Sequence, residues 1–330
     1  MSKQAGKDTS HWDDYWRHGA LTSCADAFEG NYQGEIRRVW EEFFRSAEYD
    51  TTILDIGTGN GAIALIASQV AAELKRDFSI HAIDQAEIDP LAMLKPDTAG
   101  LATIHFHSKT AAENCGLPDH SVDMVSGQYA LEYTPLEETV TELARVCAPG
   151  ARLLFVMHHA DSIVLETAAE ELRLGGLLEN SGFFDHAADL LQQMDKVPAN
   201  KAHRLAADPK AEESRNLLNQ AADELKSLAS QTANPQILQT AMNSVSDCFQ
   251  RQKVLGSQVL QLLAQYRQQL EANLARLNDL QKASVSDDNA REIVALFHAR
   301  GFAAKPMEDI FHEHNLLAGR LLSAELPTRP

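Results

Sequence analysis

The chain has few of the features that mark a secreted, membrane-spanning or nucleic-acid-binding protein. Its four cysteines, Cys24, Cys115, Cys147 and Cys248, are scattered over 330 residues without a close pair. That spacing suits a reducing cytoplasm better than a disulfide framework or a thiolate metal site. No apolar run approaches bilayer-spanning length, and the opening MSKQAGKDTSHWDD has no apolar stretch behind its lysines, so no secretory signal is read there. Positive charge is scarce: 29 Lys and Arg stand against 47 Asp and Glu, a net charge of -18. Without clusters of Lys and Arg to contact phosphates, a nucleic-acid partner is disfavoured. Between Gly182 and Gly301 the one glycine is Gly256, and Leu, Ala, Gln and Glu dominate that stretch, a helical composition. With 44% hydrophobic and 23% charged residues, the expectation is a soluble, cytoplasmic, globular protein.

What glycine there is concentrates where it matters. Ile53, Leu54 and Ile56 read as a buried strand, Ala62 to Val70 as the helix after it, and Gly57, Gly59 and Gly61 fall in the turn between them. A strand-to-helix turn without β-carbons lets a ligand approach bare backbone, and the helix N-terminus adds amide donors. The glycines alone also satisfy the dinucleotide fingerprint G-x-G-x-x-G/A. Asp55 separates the two readings: a carboxylate at the strand tip can hold an amino group, whereas a pyrophosphate gains nothing from it.

Downstream, Ser79 to Asp84 reads as a second strand ending in an acid placed to accept both hydroxyls of an adenosine ribose, with Gln85 flanking the base. Thr103 to His107 reads as a third strand. Asp123 to Ser126 reads as a fourth, followed by Gln128, a contact for the far end of the cofactor, and by Tyr129, Glu132 and Tyr133, which face the substrate region. Leu136 to Cys147 is an amphipathic helix stopped by Pro149-Gly150, and Arg152 to Met157 a fifth strand. Ala290 to Arg300 is a helix, Ala303 to Phe311 a sixth strand and Leu316 to Ala324 a seventh.

The pattern Asp55-x-Gly57-x-Gly59-x-Gly61 resembles the first motif of class I S-adenosylmethionine-dependent methyltransferases. Glu113, Leu117-Pro118-Asp119 and Val122-Asp123-Met124-Val125, then LARVCAPGARLLFVMHH, resemble the ubiquinone and menaquinone biosynthesis methyltransferases and their small-molecule relatives. The resemblance implies an α/β fold, a seven-stranded Rossmann-like sheet, here with an aromatic helical N-terminal arm and a large all-helical insertion. It implies S-adenosyl-L-methionine as cofactor and S-adenosyl-L-homocysteine as product. Those relatives often have an aspartate where this chain has Ala111, so adenine recognition passes to Ala112 and Glu113. The cofactor set is then Asp55, Gly57, Gly59, Gly61, Asp84, Gln85, Ala112, Glu113 and Gln128. The N/D-P-P-Y/F signature of amino-methylating enzymes of DNA and proteins is missing after the fourth strand.

The expected division is residues 1–49 as arm or lid, 50–160 with 290–326 as the cofactor-binding core, and 161–289 as the helical insertion. Ile36, Val39, Trp40, Phe43 and Phe44 fit one packed helix face. Trp16 and Tyr32 from the arm, with Tyr129 and Tyr133, are the expected substrate contacts. His158 and His159, where the fifth strand ends, are candidate general bases beside Glu132. His312-Glu313-His314 has two histidines without a third ligand, so no metal is expected. The insertion, punctuated by Pro198, Pro209 and Pro235, carries apolar faces at Leu218 to Leu228 and Leu255 to Leu277. They fit an intramolecular bundle or a homodimer.

The function expected is methyl transfer to O or C of a small, aromatic acceptor. The rival is a non-catalytic S-adenosylmethionine-binding assembly protein; a nicotinamide dehydrogenase is disfavoured by the motifs beyond the glycines.

Overall fold

The structure is a computed structural model that describes residues 9–23, 30–94, 100–197, 208–312 and 315–328. Cys24, Phe28, Pro198, Glu313 and His314 lie outside the described residues. The chain divides into two compact units, residues 1–165 with 279–330, and residues 166–278.

The first unit is built on a sheet in the order β3-β2-β1-β4-β5-β8-β6. β1 (Asp50–Ile56), β2 (Asp77–Ile83), β3 (Ile104–His107), β4 (Val122–Gln128) and β5 (Cys147–Met157) run parallel. β8 (Leu316–Glu325) runs antiparallel to β5, and both β6 (Ala303–Ala304) and β7 (Glu308–His312) pair with it. β1 is buried along most of its length because a central parallel strand is covered on both faces. Ile53 turns to one face, with α2 (Gly34–Arg45) and α3 (Ala62–Leu74). Leu54 and Ile56 turn to the other, against α5 (Leu136–Val146) and α11 (Asp287–Ala299). The short helices α1 (Ser10–Arg17) and α4 (Pro90–Met93) complete the helices of this unit up to α5.

The expected helix face of the arm is the one α2 buries: Ile36, Trp40 and Phe44 are its buried residues. The α/β, Rossmann-like reading holds, with eight strands where seven were expected. The predicted sixth strand, Ala303 to Phe311, is two pieces, β6 and β7: Lys305 still donates its N–H to the Ser323 carbonyl at 2.9 Å, but Pro306 after it has no N–H for a ladder. β4 runs two residues further than expected, so Gln128 ends the strand and does not follow it. β5 begins at Cys147, which pairs with Val122.

The second unit is helical. It holds most of α6 (Ile163–Asn180), α7 (Phe183–Asp195), α8 (Pro209–Ser230), α9 (Gln236–Leu255) and most of α10 (Gln258–Ala283). Leu218, Ala221 and Leu225 of α8 are buried with Leu190 and Leu191 of α7 and Leu238 and Val245 of α9. Leu255 lies on α9 and not on the helix that carries Val259 and Leu263, since Gly256 (φ 54°, ψ -130°) breaks the run.

Candidate functional site

Parallel strands deliver the site. In an open α/β sheet ligands sit beyond the C-terminal strand ends, and β1, β2 and β4 bring Asp55, Asp84 and Gln128 to that edge. The turn after β1 takes left-handed conformations at Gly57, Gly59 and Gly61 (φ 59°, 52° and 89°), which L-residues avoid. Space repeats the requirement. A β-carbon on Gly57 would lie 2.4 Å from Cβ of Ala130, one on Gly59 2.4 Å from the Trp16 ring, and one on Gly61 2.8 Å from Phe106.

Both acids are buried and braced. Asp55 accepts hydrogen bonds from the hydroxyls of Thr58 and Ser126, each at 2.6 Å. Asp84 accepts from the backbone N–H of Gly59 at 2.7 Å and of Ala86 at 2.8 Å, so it clamps the glycine turn to the tip of β2. Burial pushes both carboxyls up to about 6, against the pull of those donors. The Gln128 side chain accepts the Trp40 indole N–H at 2.7 Å, which fixes its oxygen toward α2. Its Nε2 is buried with no hydrogen-bond partner among the described residues. An amide donor held ready without an acceptor is what a ligand would complete.

The N-terminal segment closes over the turn. Asn60 donates from Nδ2 to the carbonyls of Trp16 (2.9 Å) and Ala20 (2.7 Å), and Asn31 donates to that of Ala62 (2.8 Å). Trp16 stacks on Trp12, with centroids 6.1 Å apart, and Trp12 meets Tyr133 edge-on at 5.9 Å.

One cleft in this unit is lined by Asp55, Gly57, Asp84, Gln85, Ala112, Glu113 and Gln128 of the expected cofactor set; Gly59 and Gly61 shape the turn behind it. Trp16, Tyr32, Tyr129 and Tyr133, the expected substrate contacts, line the same cleft. Tyr129 adopts φ 53°, an unusual conformation for a bulky residue, and its hydroxyl donates to the Ala318 carbonyl at 3.0 Å. Sequence reasoning missed Thr58, Ser126, Trp40 and Asn60, whose roles rest on partners distant in sequence or on a turn hydroxyl with no motif of its own. It also missed Thr22 and Asp279 in the cleft wall.

The expected bases, His158, His159 and Glu132, are not among the residues lining the cleft. His158 stacks flat behind Tyr129, with centroids 4.0 Å apart, and burial drives its pKa down to about 3, far from a useful base. His159 is held by the Asp161 N–H at Nδ1 (2.9 Å) and the Arg320 guanidinium at Nε2 (2.6 Å). Glu132 accepts the His158 backbone N–H at 2.8 Å, while its Oε2 is buried without a partner among the described residues. Burial raises this carboxyl to about 8. The unfolded chain releases that proton near the ordinary value and the folded chain holds it, so stability falls as pH rises toward 8. Glu132→Gln keeps the acceptor without the charge. We expect it to leave the melting temperature unchanged near pH 4.5 and raise it at pH 9, where stability should gain up to roughly 5 kcal/mol; an equal shift at both pH values would contradict the assignment.

The residues fit S-adenosylmethionine. The cleft offers carboxylates for an amino group and for ribose hydroxyls, and an unpaired amide donor, whereas among its lining residues there is no lysine or arginine for a pyrophosphate. Residues 54–155 match a family model described as a methyltransferase domain. Solved structures with similarity include a chain of the complex between the Haloferax volcanii Trm112 methyltransferase activator and a methyltransferase (18% identity, 45% of this chain and 60% of that one, TM-score 0.33). Others are a SAM-dependent methyltransferase from Aquifex aeolicus (20%, 45% and 74%, TM-score 0.34) and an S-adenosylmethionine-dependent methyltransferase from Mesorhizobium loti (21%, 38% and 53%, TM-score 0.29). The chain thus spans less than two thirds of the Haloferax and Mesorhizobium chains. No curated protein sequence matches it. The part of the chain that carries the glycine turn and the strand-tip acids, residues 54–155, is thus the part similar to a methyltransferase domain.

Proposed function

We propose that the protein methylates a small aromatic molecule, at oxygen or carbon, within the cleft that holds S-adenosylmethionine. The observation that carries this reading is the composition of that single cleft. Its floor is the cofactor set of Asp55, Gly57, Asp84 and Gln128, and Trp12, Tyr32, Tyr129 and Tyr133 supply an aromatic wall in the same space. When bound, the cofactor supplies a methyl group activated by a sulfonium. The chain's own residues do the rest. Asp55 and Asp84 fix the donor, the aromatic rings orient a flat acceptor by stacking or edge contacts, and the N-terminal segment, pinned through Asn60, excludes water. Placement of donor and acceptor at near-attack distance supplies about 7–11 kcal/mol in favourable intramolecular cases.

No observation favours the non-catalytic alternative. The test is incubation of the protein with methyl-labelled S-adenosylmethionine and a small-molecule extract, followed by untargeted mass spectrometry. A labelled product one methylene heavier than a consumed aromatic compound is the expected result. Label found only in protein or nucleic acid would overturn the acceptor assignment.

A further inference from the structure

Resting on the methyltransferase reading, we infer that the acceptor is an aromatic molecule that also carries an alkylammonium group and that Asp279 selects it. Among the described residues lining the cleft there are four carboxylates, Asp55, Asp84, Glu113 and Asp279, and no lysine, arginine or histidine. Asp55 and Asp84 are committed to the cofactor end, and Glu113 sits beside Ala112 on the same side of the sequence pattern. Asp279 comes from a distant part of the chain, near the end of α10; it lines the cleft and bonds His11, whose ring lies 6.0 Å from that of Trp12, which in turn meets Tyr133.

Its orientation is set from outside the cleft wall. The His11 ring Nε2 lies 2.9 Å from Asp279 Oδ2, and the two side chains are only 12% and 18% exposed. His11 therefore acts as a positioning residue, one step before Trp12 on α1. A carboxylate in a cleft that is also lined by Trp and Tyr rings is the chemistry that binds an ammonium, by charge pairing and by cation–π attraction. An acceptor carrying a carboxylate or phosphate would instead meet four acids with no counter-charge in the wall. A second observation points to a ligand in the same cleft. Thr22 is 1% exposed, lines the cleft, and its hydroxyl has no partner among the described residues. It offers a contact for a hydroxyl elsewhere on the acceptor.

The experiment uses the full chain saturated with S-adenosylhomocysteine and three probes that share a phenol ring: tyramine, 4-ethylphenol and 3-(4-hydroxyphenyl)propionate, titrated by calorimetry. Tyramine should bind at least about tenfold more tightly than 4-ethylphenol, and the propionate most weakly. Asp279→Asn should erase the preference for tyramine while S-adenosylhomocysteine binds as before. His11→Gln, which keeps a donor, should retain most of the preference, and His11→Phe should lose it. The inference is overturned if the propionate binds as tightly as tyramine, if no probe binds, or if Asp279→Asn leaves the ranking intact. Failure of the unaltered protein to bind S-adenosylhomocysteine would instead remove the methyltransferase reading beneath it.

Discussion

A Gly57→Ala variant should lose S-adenosylhomocysteine affinity by a hundredfold or more, at the order of magnitude set by two coupled costs. Gly57 sits at φ 59°, where an L-residue is strained by about 1–2 kcal/mol. Its new β-carbon would also lie 2.4 Å from that of Ala130. Neither neighbour is the flexible end of a long side chain, so the turn or the tip of β4 must move, at about 1–3 kcal/mol. Because Gly57 itself lines the cleft, that movement falls on the cofactor surface. The second site supplies the control: Gly57→Ala with Ala130→Gly removes the overlap but not the φ strain. It should recover part of the affinity, as a double-mutant cycle reads directly. Equal affinity of Gly57→Ala and the unaltered protein would remove the glycine turn from the site.

Asp84→Ala has the other large effect, and it acts on stability as well as on binding. The buried carboxylate receives the N–H groups of Gly59 and Ala86; removing it leaves two enclosed donors unpaired, at about 1–3 kcal/mol each. Cofactor affinity should fall roughly ten- to a hundredfold with the loss of charge-assisted bonds to ribose hydroxyls. A melting curve and a titration on the same sample separate the two effects. The pH dependence is distinctive. With Asp55 and Asp84 both raised to about 6, the protein without cofactor loses stability as pH climbs from the ordinary carboxyl range through 6, because the folded state holds protons that the unfolded state has released. Binding runs the opposite way. Below pH 6 Asp55 must give up its proton to receive an amine and Asp84 must give up its own to accept from both ribose hydroxyls, so affinity should drop by roughly tenfold per pH unit for each group that must ionise. Affinity that stays flat between pH 7 and pH 5 would contradict this.

The parts of the fold legible in the sequence are those set by local rules. Ile53, Leu54 and Ile56 had to be a buried strand, the three glycines had to be its turn, and Ile36, Trp40 and Phe44 recur at helical spacing. The strand count went astray at Lys305-Pro306-Met307, where one proline outweighed a run of strand-like residues. In the site, acids at strand tips were legible because topology places strand ends at a ligand edge. What holds them was not. Ser126 reaches Asp55 across 71 residues and Trp40 reaches Gln128 across 88, and neither pairing leaves a pattern in one sequence. The histidines at the end of β5 were legible as titratable groups near that edge. Their withdrawal behind Tyr129 and onto Arg320 depends on side-chain packing that strand position does not encode. Asp279 was invisible for the same reason: nothing in a helix of Gln, Leu and Ala marks the turn that meets His11.

The central claim is that this cleft is built for an adenosyl amino acid and not for a dinucleotide. Isothermal titration of the full chain at pH 7.5 with S-adenosylmethionine, S-adenosylhomocysteine and NAD tests it most directly. Saturable one-to-one binding of both adenosyl compounds, with no heat from NAD, is the result expected. Binding of NAD with no response to either adenosyl compound would contradict it.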